Sequence, residues 1–271
     1  MKKLAVIGGG MMGSAIVSGI IARSVADAEN IYISDPDTEK LKALCGRLGT
    51  NAAASNAEAA DGADAILIAV KPQFLDDAVS SFKDRIGPET LVMTIVAGVP
   101  VSYYLDSLES RRIIRIMPNT PAQVGEGVCA WYAAAGVVPE QKELCERILS
   151  ALGVQFEVKR ESDLNLVTAV SGSGPAYVYL FIESMIDASV QMGLPRPLSE
   201  KIVLQTVLGS AEYMKKTGKH PVILKNEVTS PGGTTAAALA MMEKDGLRTA
   251  VTEGMIACLQ KTVELGKKQS A

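Results

Sequence analysis

Leu4-Ala5-Val6-Ile7-Gly8-Gly9-Gly10-Met11-Met12-Gly13 is the stretch on which the fold turns. Four apolar residues run into glycines spaced GxGxxG at Gly8, Gly10 and Gly13, and Met11–Arg23 continues with helical spacing. This reads as a buried strand entering a helix through a tight turn. Glycines there let the chain reverse, bring backbone amides against a pyrophosphate, and seat the helix close to the sheet. With Met11 and Met12 inside the turn, the candidate cofactor contacts are Gly8, Gly10, Met11, Met12 and Gly13. A second apolar run ends in Ser34-Asp35, which lies about twenty residues on, as the dinucleotide fingerprint requires.

Working outward, Lys3–Gly8, Asn30–Ser34, Ala65–Val70, Leu91–Val96, Arg112–Met117 and Gly127–Tyr132 have the length and aliphatic content of buried strands. Met11–Arg23, Asp37–Leu48, Ser55–Ala60, Pro72–Arg85 and Pro139–Leu152 between them read as helices. Ser55-Asn56-Ala57-Glu58 has the form of a capping box. Alternation of this kind predicts a mostly parallel, doubly wound sheet of the Rossmann type. Beyond Ser162 the strand signals stop, and Pro175–Met192, Leu198–Thr217, Pro221–Val228, Thr234–Lys244 and Leu247–Gly266 read as helices. Expected, therefore, are an α/β dinucleotide domain over 1–160 and an all-α domain over 161–271. Pro175–Met192 is apolar almost all round, and Glu183 and Asp187 near its middle argue against a membrane span. Burial against a second subunit is the better expectation.

Composition bounds the function. The 271 residues carry a net charge of -3, so the basic footprint of a nucleic-acid binder is missing. Cys45, Cys129, Cys145 and Cys258 lie far apart and read as buried thiols of a reducing cytosol, with no metal set. The start is too short in apolar residues for a signal peptide. The single histidine, His220, leaves little room for a Ser-His-Asp triad.

Asp35 has two readings. Its carboxylate can accept from a ribose 2′-hydroxyl and favour NAD, or it can turn outward and leave Ser34 and the amides around Pro36 to a 2′-phosphate. Further loops leave the carboxyl ends of strands. These are Ala69-Val70-Lys71-Pro72, where Lys71 can reach a cofactor oxygen, Ile95-Val96-Ala97-Gly98, and Arg115-Ile116-Met117-Pro118-Asn119-Thr120-Pro121. In the helical half, Ser171-Gly172-Ser173-Gly174-Pro175 and Thr229-Ser230-Pro231-Gly232-Gly233-Thr234-Thr235 each precede a helix, and exposed amides there suit a small carboxylate.

At these residues the chain resembles the pyrroline-5-carboxylate reductases over nearly its whole length. The resemblance rests on Ala69-Val70-Lys71-Pro72, Met117-Pro118-Asn119-Thr120-Pro121, Ser171-Gly172-Ser173-Gly174-Pro175-Ala176-Tyr177 and Ser230-Pro231-Gly232-Gly233-Thr234-Thr235. It implies a helical domain that interlocks with a partner in a homodimer, larger rings of dimers in some members, and hydride transfer from NADPH, or from NADH, to the C=N bond of 1-pyrroline-5-carboxylate, giving L-proline. It further implies that Ser34, Asn56, Val70, Lys71 and Ala97 join the glycine turn in holding the cofactor; Asp35 and Pro72 belong with them by their place in the two loops. Glu161, Ser230, Gly233, Thr234 and Thr235 would meet the substrate, Thr235 at the reacting nitrogen. Asn226 and the acidic Asp35 depart from the family's pattern. A 3-hydroxyacid dehydrogenase shares the Rossmann half but generally places a catalytic lysine just past the boundary, and here no lysine lies between Lys159 and Lys201. A non-enzymatic dinucleotide sensor has no use for paired carboxylate loops.

Overall fold

The computed structural model describes residues Met1–Gln269, with side chains through Gly266. Eight strands form one sheet: β1 (Leu4–Ile7), β2 (Ile31–Ser34), β3 (Asn51–Ala52), β4 (Ala65–Ile68), β5 (Leu91–Thr94), β6 (Ile113–Met117), β7 (Gly127–Ala133) and β8 (Gly153–Glu157). Their spatial order is β3-β2-β1-β4-β5-β6-β7-β8. All neighbours are parallel except β6 and β7. Every residue of β1, β4 and β5 is buried, as expected of aliphatic strands covered on both faces. Seven helices accompany the sheet: α1 (Met11–Ala22), α2 (Thr38–Leu48), α3 (Asn56–Ala60), α4 (Leu75–Phe82), α5 (Val101–Ser107), α6 (Pro139–Ser150) and α7 (Asp163–Val167).

The chain leaves β1 toward β2 and β3, then crosses to the other side of β1 to build β4 and β5. Two loops therefore part at the carboxyl ends of β1 and β4, and a doubly wound sheet binds ligands in that crevice.

The strands expected from the sequence are all present. Two more, β3 and β8, are added by the structure: β3 is two residues long, and β8 is a five-residue strand at the sheet edge with no fully buried residue. The segment expected as one helix over Pro72–Arg85 is α4 flanked by 3-10 turns at Pro72–Phe74 and Lys83–Arg85. At α3 the Ser55 hydroxyl accepts from the Glu58 amide at 3.1 Å, but Glu58 reaches back to the amide of Ala54 at 2.7 Å, one residue before the cap.

The chain divides into two compact units, Met1–Ser173 with Cys258–Ala271, and Gly174–Ala257. The first runs past the boundary expected at 160/161 because α7 packs on β6 and β7. The second holds α8 (Gly174–Gln191), α9 (Arg196–Thr217), α10 (Pro221–Glu227), α11 (Thr234–Lys244) and the first part of α12 (Leu247–Gln269). Only Ser189 of α8 is buried, while Val178, Tyr179, Leu180 and Phe181 stand exposed. Among the described residues no helix is long and apolar enough to cross a membrane.

Candidate functional site

The glycine turn sits at the crevice. The Gly8 amide donates to Ser34 O at 2.8 Å and the Ala69 amide to Ile7 O at 2.8 Å, so the loops after β1, β2 and β4 are stitched together. Gly8 holds φ +107°, and a Cβ there would lie 2.7 Å from the Ala69 carbonyl oxygen. A Cβ on Gly13 would strike the Gly8 carbonyl, so a glycine at each position is a packing requirement. Gly10 differs: nothing lies within 4 Å of where its Cβ would be. It caps α1 without a side chain, and the first turn of α1 carries no acidic residue. The amides at this helix start thus face open space with the positive end of the helix dipole, and a pyrophosphate fits there. Met11 is exposed at the mouth and Met12 packs partly on the core.

At the end of β2 the Asp35 carboxylate turns toward the glycine turn. Its Oδ2 accepts from the Gly9 amide at 2.8 Å and its Oδ1 from the Asp37 amide at 3.0 Å. Ser34 donates to Asn56 Oδ1 at 2.7 Å, Asn56 Nδ2 to Ser81 Oγ at 2.9 Å, and Ser81 to the Ala78 carbonyl at 2.6 Å. Because the last group only accepts, the direction of the whole relay is set.

Lys71 and Pro72 follow β4 and are exposed, with Val70 half-buried beside them. Pro72 opens the 3-10 turn, a position where its missing N–H costs nothing. Ala97, after β5, is exposed. Its loop is anchored at both ends. Thr94 Oγ1 accepts the Val96 amide at 3.2 Å and shares a hydrogen bond with Tyr104 Oη at 2.8 Å. Burial holds the Tyr104 phenol well above its ordinary range. At the far end Glu161 Oε1 accepts from the Val101 amide at 2.8 Å and from Arg115 Nη1 at 2.7 Å. These groups border a recess of about 380 Å³ lined by Gly98, Pro100, Arg115, Glu161, Asn165 and Val263. Sequence reasoning passed over Tyr104 and named Arg115 only as the start of the Arg115–Pro121 loop, with no role. The available signal was a single charge inside Ile113-Ile114-Arg115-Ile116-Met117, which a buried strand tolerates only with a partner.

Asn119 joins two of the sequence motifs, donating to Ser171 Oγ at 3.1 Å and accepting from the Val128 amide at 2.8 Å. The Ser171-Gly172-Ser173 stretch is not the open loop expected. Thr168–Gly172 is a π-helical turn after α7, and the Ser173 amide donates to Thr168 O at 2.9 Å, so these amides are engaged by the main chain. Cys258, expected to be buried, is partly exposed and donates to Ser173 Oγ at 3.2 Å. In the second unit, Ser230–Thr235 does form a turn, with Gly232 at φ +68° and Gly233 capping α11 without a side chain. Thr234 and Thr235 open that helix, where amides lack intrahelical partners. His220 is exposed and caps α10, its Nδ1 accepting from the Val222 amide at 3.3 Å.

Comparison with known proteins joins the two halves. A profile for pyrroline-5-carboxylate reductase dimerisation matches residues 161–265, and one for NADP oxidoreductase, coenzyme F420-dependent, matches residues 3–98. The pyrroline-5-carboxylate reductase of Synechocystis sp. is 42% identical over 98% of this chain and 99% of its own length, and that of Escherichia coli is 41% identical over the same shares. The chain belongs to the pyrroline-5-carboxylate reductase family. Solved members align over 97% of the chain. The Plasmodium falciparum pyrroline carboxylate reductase, crystallised with NADP bound, aligns at a TM-score of 0.88 with 35% identity over 97% of this chain and 98% of that one. The Coxiella burnetii pyrroline-5-carboxylate reductase aligns at 0.90 with 34% identity and the same coverage. The helices that a single chain leaves apolar and exposed thus lie in the dimerisation region of a pyrroline-5-carboxylate reductase.

Proposed function

We propose that this protein reduces 1-pyrroline-5-carboxylate to L-proline with NADPH or NADH, the last step of proline biosynthesis. The observation that carries the reading is membership of the reductase family over the full chain, with an unobstructed glycine turn at the topological switch point of the sheet. In this reading residues 1–160 serve the cofactor and residues 161–271 the substrate and a homodimer, with rings of dimers a further assembly. The buried thiols of Cys45, Cys129 and Cys145 fit a reducing cytosolic setting.

A bound dihydronicotinamide supplies the hydride. The amides at the start of α1, Met11–Gly13, receive the pyrophosphate where Gly8 and Gly10 let the turn approach it, Ser34, Asp35 and Asn56 border the adenosine, and Val70, Lys71, Pro72 and Ala97 wall the remainder. In the second unit the turn Ser230–Thr235, shaped by Ser230 and Gly233, receives the substrate carboxylate on the amides of Thr234 and Thr235, and Glu161 of the first unit is a separate candidate for substrate contact. Hydride adds to the imine carbon, the C=N π pair passes to nitrogen, and one proton, carried on the protonated imine, balances the reaction. A protonated imine is already electrophilic, so positioning is the main demand on the protein. The Thr235 hydroxyl hydrogen-bonds the nitrogen as imine becomes amine. Loss of reduced-nicotinamide absorbance on adding 1-pyrroline-5-carboxylate, with L-proline recovered, is the expected result. No oxidation with either cofactor would reject the proposal.

A further inference from the structure

We infer that Asp35 makes this chain select a nucleotide with a free 2′-hydroxyl, NADH, over one with a 2′-phosphate, NADPH. The inference rests on the reductase reading and concerns its nucleotide site. Asp35 ends β2, and its Oδ2 accepts from the Gly9 amide at 2.8 Å, inside the turn that faces a pyrophosphate. The ribose attached to a pyrophosphate in that turn lies over the end of the second strand. Two main-chain donors, Gly9 and Asp37, fix the carboxylate in this orientation. Each of its oxygens retains capacity for another donor, which a ribose hydroxyl supplies and a phosphate does not.

Ser34 and the Asp37 amide, which the sequence offers to a 2′-phosphate, are engaged. Pro36 has no amide hydrogen, and the Asp37 amide donates to Asp35. Ser34 donates to Asn56, in a direction set by the relay ending at the Ala78 carbonyl. The charge balance points the same way. Residues 35–40 hold three carboxylates, Asp35, Asp37 and Glu39, against Lys40. Lys42 pairs with Glu39 at 3.3 Å, and Lys71 follows β4, across β1 from β2. A phosphomonoester carrying about -1.5 to -2 charges would meet a fixed carboxylate at this turn. The P. falciparum relative was crystallised with NADP. The discrimination is therefore assigned to this chain's β2–α2 turn and not to the fold.

The test measures dissociation constants of the full chain for NADH and NADPH by calorimetry, beside kcat/KM for each cofactor. NADH is expected to bind about tenfold tighter or more. Asp35→Ser removes the carboxylate and should move the affinity ratio toward NADPH by about tenfold or more. Asp35→Asn keeps the shape and one acceptor, should move it the same way by less, and serves if the serine variant does not fold. Equal or tighter binding of NADPH by the wild type, or a ratio unmoved in a folded variant, overturns the assignment. Binding of neither nucleotide overturns the reductase reading itself, and this assignment with it.

Discussion

Thr235 is the second residue of α11, and the cap position before that helix belongs to Gly233, which has no side chain. Its hydroxyl is therefore not the helix cap, and deleting it should leave stability nearly unchanged, short of the ~0.5–2 kcal/mol that loss of a cap costs. Thr235→Val keeps the shape. If the hydroxyl bonds the nitrogen more strongly as amine character develops, kcat falls about tenfold to a hundredfold, or ~1.4–2.8 kcal/mol, with a smaller change in KM and unchanged cofactor affinity. Single-turnover hydride transfer measured beside the melting temperature checks this. Normal transfer in the variant removes Thr235 from the mechanism.

Elements are held to one another by a few polar contacts, of which Glu161 makes the most consequential. Its Oε1 ties the start of α5 to Arg115 of β6, whose side chain is only 10% exposed. Glu161→Gln retains an acceptor but leaves the guanidinium without a counter-charge. Since Glu161 is itself 26% exposed, water offsets part of the loss, and ~1–3 kcal/mol of destabilisation is expected from urea titration. The same variant divides a substrate role from a structural one. A KM for pyrroline-5-carboxylate that rises more than tenfold supports contact with substrate, whereas normal KM in a destabilised protein makes Glu161 an anchor of the Ala97 loop alone.

On the scale of the whole molecule, α8 carries Val178, Tyr179, Leu180 and Phe181 exposed in a single chain. Apolar surface of this extent calls for a partner. Phe181→Asp places a charge where a second chain would pack, at a cost of several kcal/mol to association. Sedimentation at micromolar concentration should show the wild type associated and the variant monomeric or insoluble; a monomeric wild type with full activity would refute the proposed homodimer. Alkaline pH probes the first unit's core. Burial pushes the Cys129 thiol up to about 12 and raises Cys145 well above its ordinary value of 9.0. Below pH 9 these thiols are protonated whether the chain is folded or not. Above it, the unfolded chain releases protons that the fold retains, so stability falls as pH rises, by ~1.4 kcal/mol per pH unit for each such group. Urea midpoints at pH 8 and above 10 should show the fall, and Cys129→Ala should make it shallower. Equal slopes in the two proteins would contradict this.

Local chemistry wrote much of this protein into its sequence. Short aliphatic runs bounded by glycines and turn residues read as buried strands, glycines at Gly8 and Gly13 mark places where a Cβ cannot fit, and the loss of strand signals after Ser162 marks the helical half. Such features depend on a residue and its near neighbours, so periodicity exposes them. The rest depends on groups that meet only after folding. Asp35 stood open between two orientations until Gly9, 26 residues away, supplied an amide, and Arg115 waited on Glu161, 46 residues away. β3 is too short to announce itself, β8 lacks a buried apolar run, and both exist because β2 and β7 offer them edges. The π turn through Ser171-Gly172 took the place of an open loop because its amides found main-chain acceptors nearby. Sequence alone thus determined the elements and their class, while tertiary structure decided where each polar group points, because a hydrogen bond is directional and its partner is chosen by the fold.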